Sequence, residues 1–142
     1  MKLNKTHIKD ILQLLREYNP YVNEIVLMEM LCDKSCNMKI YGRYCEGTLV
    51  SMMCATYLNV FPHKDSPTGR IVRVSGAYTD ERFRRNGYAR ELLREIEKDA
   101  IEEFDCDYIC CDSSADELYI FEGYVESSES RLRKSIDIEK DI

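Results

Sequence analysis

No stretch of the chain carries the roughly 18 uninterrupted apolar residues that a membrane-crossing helix needs, so no membrane partner is expected. A Cys-x-x-Cys pair is also missing. The seven cysteines (Cys32, Cys36, Cys45, Cys54, Cys106, Cys110 and Cys111) are odd in number, which argues against a disulfide framework. Cys32 and Cys36 lie close along the chain, but two ligands do not make a zinc site, and no metal is expected. Basic charge is not in excess either: the formal net charge is −6. Phosphate-backbone binding needs a basic footprint, so no nucleic-acid partner is expected. The Gly-Lys-Ser/Thr ending of a P-loop and the three spaced glycines of a Rossmann fingerprint are both absent. With no repeat, low-complexity tract or linker, residues 1–142 are expected to form one domain around one core. The start, Met1-Lys2-Leu3-Asn4-Lys5, leads into an amphipathic pattern rather than a signal peptide. Reduced thiols and a cytoplasmic location are the expectation.

What is present has the balance of a soluble globular domain, with 44% hydrophobic and 32% charged residues. Apolar positions Ile8, Ile11, Leu12, Leu14 and Leu15 predict a helix from Thr6 to about Tyr18, with Thr6 as its N-cap. Tyr18-Asn19-Pro20-Tyr21 breaks it, and a second, shorter helix is expected over Glu24 to Leu31. Alternation over Asn37 to Tyr44 and the run Thr48 to Leu58 predict two strands joined at Cys45-Glu46-Gly47. A loop around His63 to Gly69 precedes a strand over Ile71 to Thr79, interrupted at Ser75-Gly76. After Gly87, the positions Ala89, Leu92, Leu93, Ile96, Ala100, Ile101 and Phe104 step as the stripe of a long helix. Tyr108 to Cys111 reads as a buried strand, Ser114 to Glu122 as a helix and Leu132 to Ile138 as a last strand. This order predicts a mixed sheet with helices on both faces.

Charge is unevenly spread. Between Arg70 and Arg94 lie seven arginines against Asp80, Glu81 and Glu91, a local +4 that leaves −10 for the rest of the chain. Such a cluster in an acidic protein suits a small polyanion. Within it, Asp80 to Leu93 joins the end of a strand to the start of a helix. There the first backbone N–H groups lack intrahelical partners and the helix dipole is positive, so an anion such as a diphosphate can bind. Gly87 removes a side chain where backbone must approach the phosphate, and Ala89 keeps the first turn small. Arg84, Arg85 and Arg90 add charge-assisted donors.

Arg84-Arg85-Asn86-Gly87-Tyr88-Ala89 resembles the R/Q-x-x-G-x-G/A signature of the GNAT superfamily of N-acetyltransferases. Downstream, Asp112-Ser113-Ser114-Ala115-Asp116-Glu117-Leu118-Tyr119 followed by Gly123-Tyr124 is similar to that family's N-x-x-A-x-x-x-Y-x-x-x-G-F/Y segment, with Asp112 in place of Asn. Leu132-Arg133-Lys134-Ser135-Ile136 resembles its closing M-x-K-x-L strand. The resemblance implies an α/β (α+β) fold with a mixed, mostly antiparallel central sheet and helices on both faces. It also implies acetyl-CoA as co-substrate and transfer of the acetyl group to a primary amine of a small molecule or peptide by direct attack. The strand before the signature splays in that family, so pantetheine would pair with Ala77, Tyr78 and Thr79, and Ser75-Gly76 would form a bulge. Arg84, Arg85, Asn86, Gly87, Tyr88, Ala89 and Arg90 would hold the diphosphate. Asp112 would lie near the pantetheine amides or cap the next helix. Tyr119 matches the residue that protonates the departing thiolate. Ser75 stands where the family often carries a Glu, and Glu24 and His63 are conceivable but unsupported substitutes as base. The segments Tyr18 to Glu24 and Glu126 to Ser130 would border the amine pocket. The start leaves little room for a strand before the first helix, and a homodimer stays open. The contrasting reading is a GNAT-fold module that binds acyl-CoA without catalysis.

Overall fold

The computed structural model describes residues 1–111, 118, 122–126 and 132–136. Its elements are α1 (Ile8–Leu15), α2 (Glu24–Cys32), β1 (Met38–Cys45), β2 (Thr48–Asn59), β3 (Arg70–Thr79), α3 (Tyr88–Glu102), β4 (Tyr108–Cys111), β5 (Val125–Glu126) and β6 (Leu132–Ser135). The strands form one six-stranded sheet in the order β1-β2-β3-β4-β6-β5. Only β3 and β4 run parallel; the other neighbours are antiparallel. A parallel pair needs a crossover, which α3 supplies. The β1–β2 hairpin turns on Glu46 and Gly47 with φ of 50° and 80°, the conformation that matches the twist of the flanking strands.

Period-two alternation assigns the two faces. On β2, Met53, Ala55 and Tyr57 point to the side where Leu92, Leu93, Ile96 and Ala100 of α3 pack, together with Val72 and Val74 of β3. The intervening Met52 joins Ile40, Leu49, Ile11, Leu12 and Leu27 under α1 and α2. The sheet therefore carries helices on both faces, as the element order predicts. All seven cysteines are free thiols, and Cys106, Cys110 and Cys111 are buried as small apolar groups. No described helix is long and apolar enough to cross a membrane.

Two local readings need correction. The N-terminal turn is capped by Asn4, not Thr6: Asn4 Oδ1 accepts from Thr6 N at 2.9 Å while His7 Nδ1 accepts from Asn4 N at 2.9 Å. Thr6 sits inside a 3-10 turn, Lys5–His7, that precedes α1. Residues ahead of that turn do pair with the sheet, since Leu3 N donates to Ile40 O at 2.7 Å and Gly42 N to Met1 O at 2.8 Å. This pairing amounts to a single bridge, Lys2 to Tyr41, in keeping with a start that leaves little room for a strand before the first helix. Strand β5 was not anticipated at all. The expected helix over Ser114 to Glu122 lies largely outside the described residues.

Candidate functional site

The site begins at the far end of β3. Among the described residues, β3 and β4 pair from Ile71↔Tyr108 to Val74↔Cys111. Strand β3 runs on against β2 to Thr79, with Ser51 opposite Thr79. In this stretch the β2–β3 register slips between Met52 and Cys54, so β3 holds one extra residue. Gly76 takes φ 58° at the bulge, a left-handed conformation that glycine adopts without steric cost. A Cβ there would lie 3.4 Å from Cys54 Sγ. Beyond the bulge, Asp80 N donates to Val50 O at 2.8 Å. Strand alternation then turns the N–H and C=O of Thr79 away from β2.

The chain next makes a 3-10 turn, Glu81–Phe83, capped by Asp80 through Arg82 N at 2.9 Å. Asp80 is buried and clamped by Arg82, whose Nη2 and Nε lie 2.9 and 3.2 Å from its two oxygens. The Arg82 guanidinium holds the Asp80 carboxyl below the ordinary carboxylate range. Asn86 Nδ2 donates to Phe83 O at 3.0 Å and closes the turn. Arg85 and Gly87 both take left-handed backbone, with φ of 67° and 79°. Gly87 is the N-cap of α3 and offers no side-chain cap. A Cβ on Gly87 would meet nothing within 4 Å, so the glycine answers to its backbone angle and leaves the space beside it open. The helix bonds begin with Glu91 N to Gly87 O at 3.0 Å, which leaves the earlier N–H groups to face whatever lies before the helix.

The end of β3 and this turn line one cleft of about 1080 Å³, at the upper end of small-ligand sites, roughly 300–1,000 Å³. Ala77, Tyr78, Thr79, Arg84, Arg85, Asn86, Gly87, Tyr88, Ala89 and Arg90 all line it. The sequence-predicted residues are therefore together wherever they are described. Asp112 and Tyr119 lie outside the described residues. Neither Glu24 nor His63 lines the cleft. Glu24 sits 3.9 Å from Arg16 Nη2, and His63 Nδ1 accepts from Asp65 N at 3.3 Å. Ser75 is exposed and pairs across from Cys54.

The arginine cluster is less free than its local +4 suggests. Arg82 is taken by Asp80. Arg90 Nε lies 3.0 Å and Arg94 Nε 3.2 Å from the Glu122 carboxylate. Arg70 Nη2 lies 2.8 Å from Asp105. Arg85 stays exposed at the turn. Arg84 donates to Thr79 O at 3.3 Å and to the Tyr18 hydroxyl at 2.9 Å. Tyr88 donates to Cys45 Sγ at 3.8 Å, and its phenol is raised above its ordinary value by that bond. The Arg43 guanidinium lies 5.3 Å from the centre of the Tyr88 ring. Phe83, Leu118 and Tyr18 are lining residues that sequence reasoning did not place in this cleft. Tyr18 was assigned only to the amine side, since no local pattern ties it to residues more than sixty positions away.

Residues 8–119 match the acetyltransferase (GNAT) family. The chain belongs to that family. Solved structures agree on the GNAT fold. A predicted acetyltransferase from Clostridium acetobutylicum, solved with acetyl-CoA, is 16% identical with a TM-score of 0.74, over 91% of this chain and 90% of that one. A ribosomal-protein-alanine N-acetyltransferase from Brucella melitensis biovar Abortus 2308 is 17% identical with a TM-score of 0.68, over 85% and 84%. An aminoglycoside N-acetyltransferase, solved with a bisubstrate analogue of CoA, is 16% identical with a TM-score of 0.76, over 90% of each chain. By sequence, no curated protein matches it. The GNAT match covers α1 through Tyr119 and so includes both the bulged strand and the turn into α3.

Proposed function

We propose that this GNAT protein transfers the acetyl group of acetyl-CoA to a primary amine of a small molecule or peptide by direct attack. The observation that carries the reading is the continuity of the cleft. A bulged strand end runs into a turn whose Arg85 and Gly87 are left-handed, and that turn opens directly on α3. The residues present fit the coenzyme. The amides of a pantetheine arm find strand backbone at Ala77 to Thr79, with the Thr79 carbonyl as one acceptor. A diphosphate finds the first N–H groups of α3 and the Arg84 and Arg85 guanidiniums. Structural neighbours solved with acetyl-CoA and with a bisubstrate analogue of CoA support this choice of co-substrate.

In the proposed reaction the amine nitrogen forms a bond to the thioester carbon, and the carbon–sulfur bond breaks. The bulge at Gly76 would supply a fixed backbone donor to the oxygen that gains charge. Tyr119 would return a proton to the departing thiolate, two acids of comparable strength. The proton lost by the amine would leave through water, since Ser75 carries a hydroxyl where a carboxylate base would stand. Holding both reactants side by side supplies the orientation.

The test is thiol release from acetyl-CoA across a panel of polyamines, amino sugars, amino acids and peptides. An amine that supports release identifies the acceptor, and Tyr119→Phe should then lower kcat about a hundredfold or more at similar KM for acetyl-CoA. Binding of acetyl-CoA without thiol release for any amine would replace the transferase reading with that of a non-catalytic acyl-CoA module.

A further inference from the structure

Tyr18 lies between α1 and α2, and nothing in the motif accounts for where its hydroxyl goes. The hydroxyl donates to Thr79 O and accepts from Arg84 Nη2 at 2.9 Å. Arg84 Nε donates to the same Thr79 carbonyl at 3.3 Å. The three groups close a ring of hydrogen bonds. The Tyr18 ring meanwhile stacks on Tyr78, with centroids 4.7 Å apart and planes 25° apart. Each of these side-chain contacts falls on a residue that lines the cleft, and Tyr18 lines it too.

A carbonyl oxygen has two lone pairs. At Thr79 one is used by Arg84 and the other by Tyr18. An amide N–H arriving at this strand edge finds both acceptor positions filled, and a phosphate arriving at Arg84 finds that guanidinium already engaged. We propose that Tyr18 is an internal competitor for the coenzyme, a latch whose phenol occupies the carbonyl and the guanidinium that acetyl-CoA would take. The proposal rests on the acetyl-CoA reading of the cleft. It adds that binding the coenzyme releases the α1–α2 segment. The amides of Tyr18 and Asn19 are held by Leu15 O at 3.0 and 2.8 Å, so release of the side chain loosens this last turn. By linkage, whatever holds that segment in place weakens coenzyme binding by the same factor.

The experiment is a calorimetric titration of CoA into wild-type protein and Tyr18→Phe, with hydrogen exchange of residues 16–23 followed in both. The variant keeps the ring for the Tyr78 stack and loses only the hydroxyl. The latch predicts CoA binding about five-fold tighter in Tyr18→Phe, the effect of one ordinary hydrogen bond no longer displaced. It also predicts that CoA speeds exchange at residues 16–23 in the wild type and changes it little in the variant. Equal or weaker CoA binding by the variant overturns the latch and assigns Tyr18 to holding Arg84 in place. Slower or unchanged exchange in the CoA-bound wild type also overturns it. If neither protein takes up CoA while both stay folded, the acetyl-CoA reading fails and the latch falls with it.

Discussion

Gly87 holds a left-handed φ of 79° in open space, so substitution there separates backbone strain from packing. Gly87→Ala should cost about 1–2 kcal/mol of stability, the usual penalty for a side chain in that conformation, read from denaturant unfolding. Gly87→Glu should suffer the same strain and in addition abolish measurable CoA binding, because its charge enters the anion's place. Asp80 makes a pH prediction. Its carboxyl is held below the ordinary range by Arg82, so the pair favours the fold fully above the unfolded-state value of about 3.9. That contribution is lost as pH falls through the lower folded-state value. Asp80→Asn should therefore flatten the fall in stability below about pH 4 relative to wild type. At this scale the place of Arg84, Arg85 and Gly87 at the strand–helix junction, where they line the cleft, was legible from the motif. The partners of Arg82, Arg90 and Arg94 were partly or wholly hidden. Glu122 reaches Arg90 and Arg94 only through the fold, and no spacing rule links them.

Among the elements, α3 has two tasks: it covers one sheet face and presents its first turn to the cleft. Ile96 is fully buried in that contact. Ile96→Ala should destabilise by about 2–5 kcal/mol, measured by urea unfolding, while CoA affinity of the folded fraction stays near wild type. Bulged β3 should respond in the opposite manner. Gly76→Ala places a Cβ 3.4 Å from Cys54 Sγ at φ 58° and should lower thiol-release rates more than it lowers the unfolding midpoint. The stripe Leu92, Leu93, Ile96 and Ala100 was readable because a fifteen-residue helix repeats its period several times. Strand β5 has two residues, too few to express any period. The Asn4 cap was missed because the first turn is 3-10 rather than α, which moves the cap two residues upstream of Thr6. Ser75-Gly76 was visible as an interruption because a glycine within a strand demands a reason.

For the whole molecule, the order of elements and the motif spacing carried the fold class, since a mixed sheet with α3 as its crossover leaves few topologies. What composition could not carry is how the extra residue of β3, held between the Cys54↔Ser75 and Met52↔Tyr78 pairs, re-aims the end of that strand. The central claim is that the main chain from Asn86 to Ala89, beside the bulged end of β3, grips the coenzyme's diphosphate. A nitrogen-15 backbone spectrum recorded during a CoA titration tests it most directly. The amide signals of Asn86, Gly87, Tyr88 and Ala89 should shift most and saturate together with those of Ala77 and Thr79. Saturation elsewhere with these six amides unmoved would contradict the account.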